Sequence, residues 1–275
     1  MMVLAVDSHA HVFCPGRAFA PDIPYEPHAT QQGTAAQFRA VLDAHGLSHG
    51  LLVAAQPYLY DNSCMLEAIA RSNGRFKGIA LVRPGATELE LAKLADAGVV
   101  GIRFNLSSFG MREFTEPSAE RLLAQIREMG WFLQIHCEGD ELAQAMPIIR
   151  KSGVRVMLDH FGRPEISHGL QQPGFAALLE LGRSGDHVVK LSGPFRCSRE
   201  GYPYRDVDPF IEAAINAFTL DRCVWGSDWP FVRVDERVDY GPPFVCLRRW
   251  LPAEADRHTV LWRTPARLFG LTAAA

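Results

Sequence analysis

The sequence contains no long apolar run, no large excess of either charge and no closely spaced pair of cysteines. A helix that crosses a bilayer needs about 20 consecutive apolar residues, and no segment of the chain approaches that length. The formal net charge of −3 gives no electrostatic basis for binding nucleic acid or an anionic membrane surface. We therefore expect neither a membrane anchor nor a nucleic-acid partner.

The six cysteines are scattered along the chain without a Cys-x-x-Cys pair. The N-terminus also lacks the charged stretch followed by an apolar stretch that marks a secretory signal. These two absences favour a reducing compartment, and we expect the protein to be located in the cytoplasm.

Short apolar runs alternate with segments of helical spacing along most of the chain. The runs that predict strands are residues 3–11, 50–55, 77–82, 99–105, 131–136, 154–160, 187–191 and 222–228. The segments that predict helices are residues 34–45, 65–71, 88–97, 118–129, 141–151, 175–181, 207–218, 247–251 and 259–268. Near-continuous apolar strands joined by helices are typical of a parallel sheet that is covered on both faces.

The eight strands predict a single (β/α)8 TIM barrel formed by residues 1–275, because barrels of about 250 residues commonly fold as one domain. The alternative is a doubly wound open sheet, which normally carries a Gly-rich phosphate-binding turn after its first strand. This chain has His-Ala-His-Val-Phe at that position, which favours the barrel.

The first predicted strand ends in Asp7-Ser8-His9-Ala10-His11. Side chains two residues apart on a strand share a face, so we expect His9 and His11 to project together, and Asp7 with them. Two imidazoles on a rigid strand suit one divalent ion such as zinc. The alternative is a pair of packed or surface histidines, and the motif alone favours neither interpretation.

Polar residues also lie at the ends of the later strands. They are Arg103 and Asn105 on strand four, His136 on strand five, Asp159 and His160 on strand six, Lys190 and Ser192 on strand seven, and Asp228 on strand eight. The C-terminal strand ends build the active site of a barrel, so these groups are expected to converge. We predict that His136 is a third imidazole ligand, that Asp228 faces an ion or a water, and that His160 supports proton transfer. The alternatives are a hydrogen-bonded core position for His136 and a turn cap at Asp228.

Five segments of the chain resemble the amidohydrolase superfamily. They are residues 7–11, 101–105, 158–164, 190–193 and 225–230, which read DSHAH, GIRFN, LDHFGRP, KLSG and WGSDWP. Within the superfamily they are most similar to the branch of 2-pyrone-4,6-dicarboxylate lactonase and the sugar lactonases. The resemblance implies a (β/α)8 barrel and hydrolysis by an activated water.

The resemblance also implies a set of ligands for one divalent ion, zinc or manganese. That set is His9, His11, His136 and Asp228, and His160 corresponds to the strand-six histidine of the superfamily. Strand four carries Arg103 where binuclear members have a bridging lysine or glutamate, so a two-metal site is not expected. Because the branch includes a lactonase that works without metal, a metal-independent enzyme is the alternative.

Both routes use the same residues. Asp228 would take a proton from the attacking water and deliver it to the leaving oxygen. With an ion present the lactone carbonyl would be polarised, and without one the histidines and Arg163 would stabilise the oxyanion as hydrogen-bond donors. We therefore predict catalytic roles for Asp228, His160, His9 and His11.

Three arginines near the predicted rim indicate the charge of the substrate. Arg103, Arg163 and Arg196 can bind carboxylates through two parallel hydrogen bonds, so we expect a small anionic molecule. Gln56 and Tyr58, after strand two, are candidates for polar contacts to the substrate, and ordinary loop polarity is the alternative. The sequence leaves open whether the protein forms a homodimer.

The leading hypothesis is a hydrolase that opens a carboxylated or polyhydroxylated lactone in an aromatic-degradation or sugar-acid pathway. The alternatives are a metal-dependent, non-oxidative decarboxylase of an aromatic or dienoic acid, and a barrel that only binds a ligand. Relatives often continue the Asp-Trp-Pro motif with His, whereas this chain has Phe231-Val232-Arg233. A second arginine expected near Phe109 is also missing, which argues against a pyrone dicarboxylate as substrate.

Overall fold

The computed structural model describes residues 4–21 and 23–273, so Val3 of the first predicted strand lies outside the described residues. The sheet has eight strands in the order β1 to β8, and each consecutive pair is parallel. The strands are β1 (Val6–Ala10), β2 (His49–Val53), β3 (Phe76–Ala80), β4 (Val99–Asn105), β5 (Phe132–His136), β6 (Arg155–Leu158), β7 (Val188–Ser192) and β8 (Cys223–Gly226).

Backbone contacts between β1 and the turn after β8 close the sheet into a barrel. Ala10 and Trp229 form a parallel bridge, His11 N donates to Trp229 O at 2.8 Å, and Asp228 N donates to His9 O at 2.8 Å. Glycine is required at position 226, because a Cβ there would lie 2.5 Å from the Cβ of His9. The predicted (β/α)8 barrel is therefore confirmed.

Helices cover the outside of the barrel between successive strands. They are α1 (Ala35–Ala44), α2 (Ser63–Ala70), α3 (Glu88–Asp96), α4 (Leu106–Phe109), α5 (Arg112–Thr115), α6 (Ala119–Glu128), α7 (Glu141–Ser152), α8 (Pro173–Ser184), α9 (Asp208–Phe218), α10 (Gly241–Trp250), α11 (Glu254–His258) and α12 (Thr264–Phe269). Capping boxes at Thr34 and Thr87 fix where α1 and α3 begin. None of the described helices is both long enough and apolar enough to cross a membrane.

The interior of the barrel is apolar at one end and polar at the other. Phe132, Val188 and Val224 belong to a buried apolar cluster that also contains Phe269 of α12. Side chains on a strand alternate between faces, so residues two positions further along β5 and β7 also point inward. These residues are Gln134 and Lys190, and both are fully buried. The polar groups that support the site therefore lie directly above a layer of buried apolar side chains.

Asp7 does not join the two histidines, contrary to the prediction from strand alternation. The pairing of β1 with β2 shifts register between Asp7 and Ala10, which turns the side chains before and after the shift to different surroundings. The Asp7 carboxylate accepts hydrogen bonds from Ser227 N at 2.9 Å and Tyr240 Oη at 2.9 Å. Burial raises the pKa of Asp7 to about 6. Asp7 therefore ties β1 to the β8 turn and to the segment before α10.

Cys14 and Cys64 form a disulfide that joins the loop after β1 to the start of α2. The two cysteines are 50 residues apart in sequence, so no spacing motif indicated the bond. The described free cysteines are Cys137, Cys197, Cys223 and Cys246. Since disulfides are uncommon in a reducing cytoplasm, the Cys14–Cys64 bond argues against the cytoplasmic location that the cysteine spacing predicts.

Candidate active site

The C-terminal ends of the strands surround a cavity of about 160 Å³. Its lining residues are His11, Tyr25, Arg103, Asn105, His136, Glu138, His160, Arg163, Arg196, Asp228, Val232 and Arg233. Four of these side chains are guanidinium groups and two are carboxylates, so the described lining carries an excess of positive charge. A cavity of this kind attracts an anionic ligand.

His9, His11 and Asp228 meet at the edge of this cavity. The two Nε2 atoms of the histidines are 3.2 Å apart, and they lie 3.7 Å and 3.6 Å from Asp228 Oδ1, respectively. His11 Nδ1 lies 2.9 Å from the carbonyl oxygen of Val53. A carbonyl only accepts hydrogen bonds, so Nδ1 carries the proton and Nε2 of His11 presents a lone pair to the site.

The chemistry of this donor set fits one divalent ion. One atom from each of His9, His11 and Asp228 lies within 4.8 Å of the other two, and two imidazoles with one carboxylate are ligands that zinc accepts. His136, the predicted third imidazole ligand, lines the same cavity but is not one of these three converging donors, and its Nε2 lies 3.3 Å from Arg163 Nη1. Because a guanidinium only donates, His136 accepts from Arg163 in this arrangement. The structure brings three of the four predicted ligands together.

Asp228 is held as an ionised carboxylate. Burial alone would raise its pKa, but the Arg196 guanidinium and the neighbouring imidazoles hold the pKa of Asp228 well below its usual value. Arg196 Nε donates to Oδ2, and Oδ1 faces His9 and His11. Asp228 has a φ of 65° in the turn after β8, and its backbone N–H is bonded to His9. The turn therefore aims a charged acceptor into the cavity.

His160 lies beside the same carboxylate. Its Nε2 is 3.6 Å from Asp228 Oδ2, and its Nδ1 is 2.9 Å from Ser192 Oγ at the end of β7. A side chain at Gly193 would collide with this ring, since a Cβ there would lie 2.8 Å from His160 Nδ1. Burial holds the pKa of His160 well below its usual value, so the ring is neutral beside the ionised carboxylate.

All three predicted arginines line the cavity, and each contacts a carboxylate. Arg163 Nη1 contacts Glu138, and Arg196 contacts Asp228. The Nε and Nη2 atoms of Arg103 each lie 3.1 Å from Asp159 Oδ2. Because Asp159 is fully buried, Arg103 is anchored from below, whereas the Glu138 partner of Arg163 is exposed enough for a ligand to replace it.

Gln56 and Tyr58 lie outside the cavity lining. Gln56 Oε1 accepts a hydrogen bond from Asn105 Nδ2 at 3.1 Å, and Tyr58 Oη accepts one from Cys14 N at 3.1 Å. Both side chains are buried. In this structure they support the end of β4 and the loop after β1, and direct contact with a substrate stays a prediction.

Four lining residues were not predicted from the sequence: Tyr25, Glu138, Val232 and Arg233. Glu138 follows His136 by two positions, as His11 follows His9. Its position just after a strand could therefore have predicted that it faces the cavity. Tyr25 lies in the irregular loop after β1, and Arg233 stacks over its ring with the guanidinium carbon 5.1 Å from the ring centre. Burial raises the pKa of Tyr25, so its hydroxyl keeps its proton and can donate.

A buried polar layer supports the histidines from below. Lys190 Nζ donates to Gln134 Oε1 at 2.7 Å and lies 3.1 Å from His9 Nδ1 and 3.3 Å from Asp159 Oδ1. Gln134 Nε2 donates to Asp159 Oδ2 at 3.1 Å. Burial lowers the pKa of Lys190 to about 8, and burial together with Lys190 lowers the pKa of His9 to about 3. At neutral pH the lysine is therefore mostly charged and the imidazole is neutral.

A parallel barrel with imidazoles and an ionised carboxylate at its C-terminal end is the arrangement of a hydrolase that activates water. The chain belongs to the amidohydrolase family, whose model, described as Amidohydrolase, matches residues 6–271. This match confirms the family that the five sequence segments indicated.

Two curated proteins and one crystal structure are similar over nearly the whole chain. The chain is 34% identical over 272 residues to the 4-sulfomuconolactone hydrolase of Rhizobium radiobacter, with 97% of this chain and 90% of that protein covered. It is 31% identical over 277 residues to the 2-pyrone-4,6-dicarboxylate hydrolase of Comamonas testosteroni, with 96% and 90% covered. A probable 2-pyrone-4,6-dicarboxylic acid hydrolase of Acinetobacter baumannii, solved with citric acid bound, has a TM-score of 0.87 and 28% identity, with 97% and 99% covered.

Proposed function

We propose that this protein hydrolyses a lactone that carries at least one acid group. The observation that carries the proposal is the ionised Asp228, which faces His9, His11 and His160 in a cavity with four guanidinium groups. Water attack on an ester needs a general base and stabilisation of the oxyanion. The similar proteins named as lactone hydrolases support the same reaction class.

In this proposal Asp228 Oδ1 removes a proton from the attacking water. Its Oδ2 is held by Arg196, which keeps the carboxylate ionised and oriented before the substrate arrives. His160 lies 3.6 Å from Oδ2 and is placed to receive the proton or return it to the leaving oxygen. Arg163, which lines the cavity, donates hydrogen bonds to the oxyanion or to an acid group of the substrate.

We further propose that one divalent ion, zinc or manganese, binds to His9, His11 and Asp228. When bound, such an ion polarises the lactone carbonyl and lowers the pKa of a coordinated water to about 7. The convergence of three donor atoms within 4.8 Å supports this assignment. Metal analysis of the purified protein, followed by chelation, tests it: full activity of metal-free protein would favour the route that uses only the protein's own donors.

The charge of the cavity favours an acid-bearing substrate over a neutral sugar lactone. Four guanidinium groups face two carboxylates in the lining, and arginine binds carboxylates and sulfonates through paired hydrogen bonds. The related Acinetobacter structure holds citric acid, a tricarboxylic acid, which supports the binding of a small polyanion in this type of barrel. Polyhydroxylated neutral lactones remain substrates to be tested.

A screen with two readouts tests the proposed reaction. Acid-bearing lactones, neutral sugar lactones and aromatic acids are offered to the purified protein, and acid release and carbon dioxide release are measured in parallel. Acid release from a carboxylated or sulfonated lactone supports the proposal. Carbon dioxide release from an aromatic acid would establish the decarboxylase alternative, and ligand binding without turnover of any compound would establish a barrel that only binds.

The compartment and the oligomeric state are also proposals. We propose a cytoplasmic location because the sequence has no Cys-x-x-Cys pair and no secretory signal pattern, although the Cys14–Cys64 bond argues against it. Alkylation of the protein at cell lysis, followed by titration of its free thiols, tests this: Cys14 and Cys64 should be reduced, and a disulfide between them in the cell would overturn the proposed location. We propose a homodimer as the assembly to be tested, and sedimentation of the purified chain decides between a dimer and a monomer.

A further inference from the structure

The hydrogen bonds around His9 are directional and assign the proton on its ring. His11 Nδ1 donates to the Val53 carbonyl, so His11 Nε2 can only accept. His9 Nε2 lies 3.2 Å from that atom, and an N···N hydrogen bond needs one proton between the two nitrogens. In this arrangement the proton is therefore on Nε2 of His9, and Nδ1 of His9 carries a lone pair.

The opposite side of the His9 ring is consistent with this assignment. Lys190 has donors and no acceptor, and its Nζ lies 3.1 Å from His9 Nδ1. Asp159 Oδ1 lies 3.1 Å from the same Nδ1 and 3.3 Å from Lys190 Nζ, but among the described residues it accepts no hydrogen bond. His9 Nδ1 therefore accepts from Lys190, and Asp159 Oδ1, which is paired with the charge of Lys190, can still accept a hydrogen bond.

A metal ligand needs the other tautomer. To bind an ion through Nε2, where His11 and Asp228 also converge, His9 must present a lone pair there and carry its proton on Nδ1. Asp159 Oδ1 is placed to accept that Nδ1 proton, as carboxylates commonly do behind metal-binding histidines. His9 is neutral in both forms, so the difference is the position of one proton and not a change of charge.

We propose that Lys190 is a positioning residue that holds His9 in the Nε2-protonated form and thereby weakens the binding of a divalent ion. Lys190 and Asp159 compete for one ring nitrogen: Lys190 stabilises a histidine that donates into the cavity, and Asp159 stabilises a histidine that binds an ion. The balance between them sets whether the site works with its own hydrogen-bond donors or with a metal. The inference rests on the proposed metal site, and its tests do not use lactone hydrolysis.

The first test reads the tautomer directly in metal-free protein. Long-range ¹H–¹⁵N correlation spectra distinguish a protonated Nδ1 from a protonated Nε2, and the His9 signals are identified by their loss in a His9→Gln variant. The wild type is expected to show Nε2–H at His9, and Lys190→Met is expected to show Nδ1–H. Nδ1–H in the metal-free wild type would overturn the proposal, whatever the behaviour of the variants.

The second test measures affinity for Zn²⁺ by competition with a chromogenic chelator. Lys190→Met removes both the donor and the charge, and it should bind Zn²⁺ at least about tenfold more tightly than the wild type, since a hydrogen bond from a charged group is worth more than about 1.4 kcal/mol. Lys190→Gln removes the charge and keeps an N–H donor for Nδ1. It should keep the Nε2–H tautomer and show a smaller gain.

The comparison of variants separates the tautomer from simple charge repulsion. If Lys190→Met and Lys190→Gln gain the same Zn²⁺ affinity and the His9 tautomer does not change, Lys190 acts only through its charge and the proposal is overturned. Lys151→Met is the matched control, because Lys151 is exposed and pairs with Glu120 at the surface, and its Zn²⁺ affinity should equal that of the wild type. If Lys190→Met does not fold, the wild-type tautomer and Lys190→Gln still decide.

Discussion

Arg196 and Asp228 form a buried ion pair that joins the turn after β7 to the turn after β8. Arg196 Nε donates to Asp228 Oδ2, and Arg196 Nη2 donates to the carbonyl oxygen of Val232 at 3.0 Å. The guanidinium is thus fixed by two partners and offsets the cost of burying the carboxylate. One carboxylate oxygen is committed to Arg196, which leaves the other to face His9 and His11.

Asp228→Asn is expected to lower kcat by about 10²- to 10⁴-fold, the range of a general base. The amide has the shape of the carboxylate and can still accept a hydrogen bond from Arg196, but it cannot take a proton from water. The measurement is kcat on the lactone found by the screen, with circular dichroism to confirm folding. Asp239→Asn is the control, because Asp239 is an exposed partner of Arg237. A kcat within a few-fold of the wild type would show that another group takes the proton from water.

The barrel could be predicted because its strands are nearly continuous apolar runs. The predicted range 99–105 is the observed extent of β4. The end of β6 differs: the pattern extends the strand to His160, but the strand stops at Leu158. His160 and Phe161 have φ values of 47° and 41°, and a left-handed turn that places a catalytic ring leaves no trace in the spacing of apolar residues.

The site could be predicted where its residues follow strands, and less well elsewhere. His9, His11, His160 and Asp228 all meet at the strand ends, as the barrel geometry requires. Tyr25 reaches the cavity from an irregular loop, whose path depends on contacts that are distant in sequence. The direction of the His136 ring also depends on such a contact, since its Nε2 partner is Arg163, 27 residues further along the chain.

Arg163→Met is expected to raise KM for an acid-bearing lactone by about tenfold or more, because a hydrogen bond to a charged group contributes about 1.5–3 kcal/mol. KM for a neutral lactone of the same ring size should change little, because that lactone has no acid group for Arg163 to bind. Steady-state kinetics on the two lactones measure the difference. Arg199→Met, at an exposed position, serves as the control. Equal increases for both lactones would show that Arg163 acts on the ring or on the fold and not on the acid group.

Cys64→Ser is expected to lower the free energy of unfolding by about 2–4 kcal/mol, because a cross-link between distant residues restricts the unfolded chain. The bond to Cys14 closes a loop with a sequence separation of 50. Urea unfolding with and without a thiol reductant measures the effect. The reductant should lower the free energy of unfolding of the wild type to that of Cys64→Ser, and it should leave the free energy of unfolding of the variant unchanged. Cys197→Ser, at a free cysteine, is the control. If the reductant does not change the free energy of unfolding of the wild type, the disulfide is absent from the purified protein.

Glu113 should make the fold less stable as the pH rises. Its Oε2 accepts a hydrogen bond from Asn105 N at 2.6 Å, and burial raises the pKa of Glu113 to about 7 from an ordinary value of 4.5. Between these two values the folded chain keeps a proton that the unfolded chain has released, so the free energy of unfolding falls with rising pH. The stabilising contribution is complete below the unfolded pKa and is lost as the pH passes through the folded pKa.

Glu113→Gln removes this dependence and keeps an oxygen that can accept from Asn105 N. At pH 8 the variant should be more stable than the wild type by up to about 3 kcal/mol, the free-energy equivalent of the pKa shift, and near pH 5 the difference should be small. Urea unfolding at both pH values measures it, with the exposed Glu120→Gln as the control. Identical pH slopes for the wild type and Glu113→Gln would mean that the Glu113 carboxyl, which contacts Asn105 at the end of β4, keeps its ordinary pKa in the folded chain.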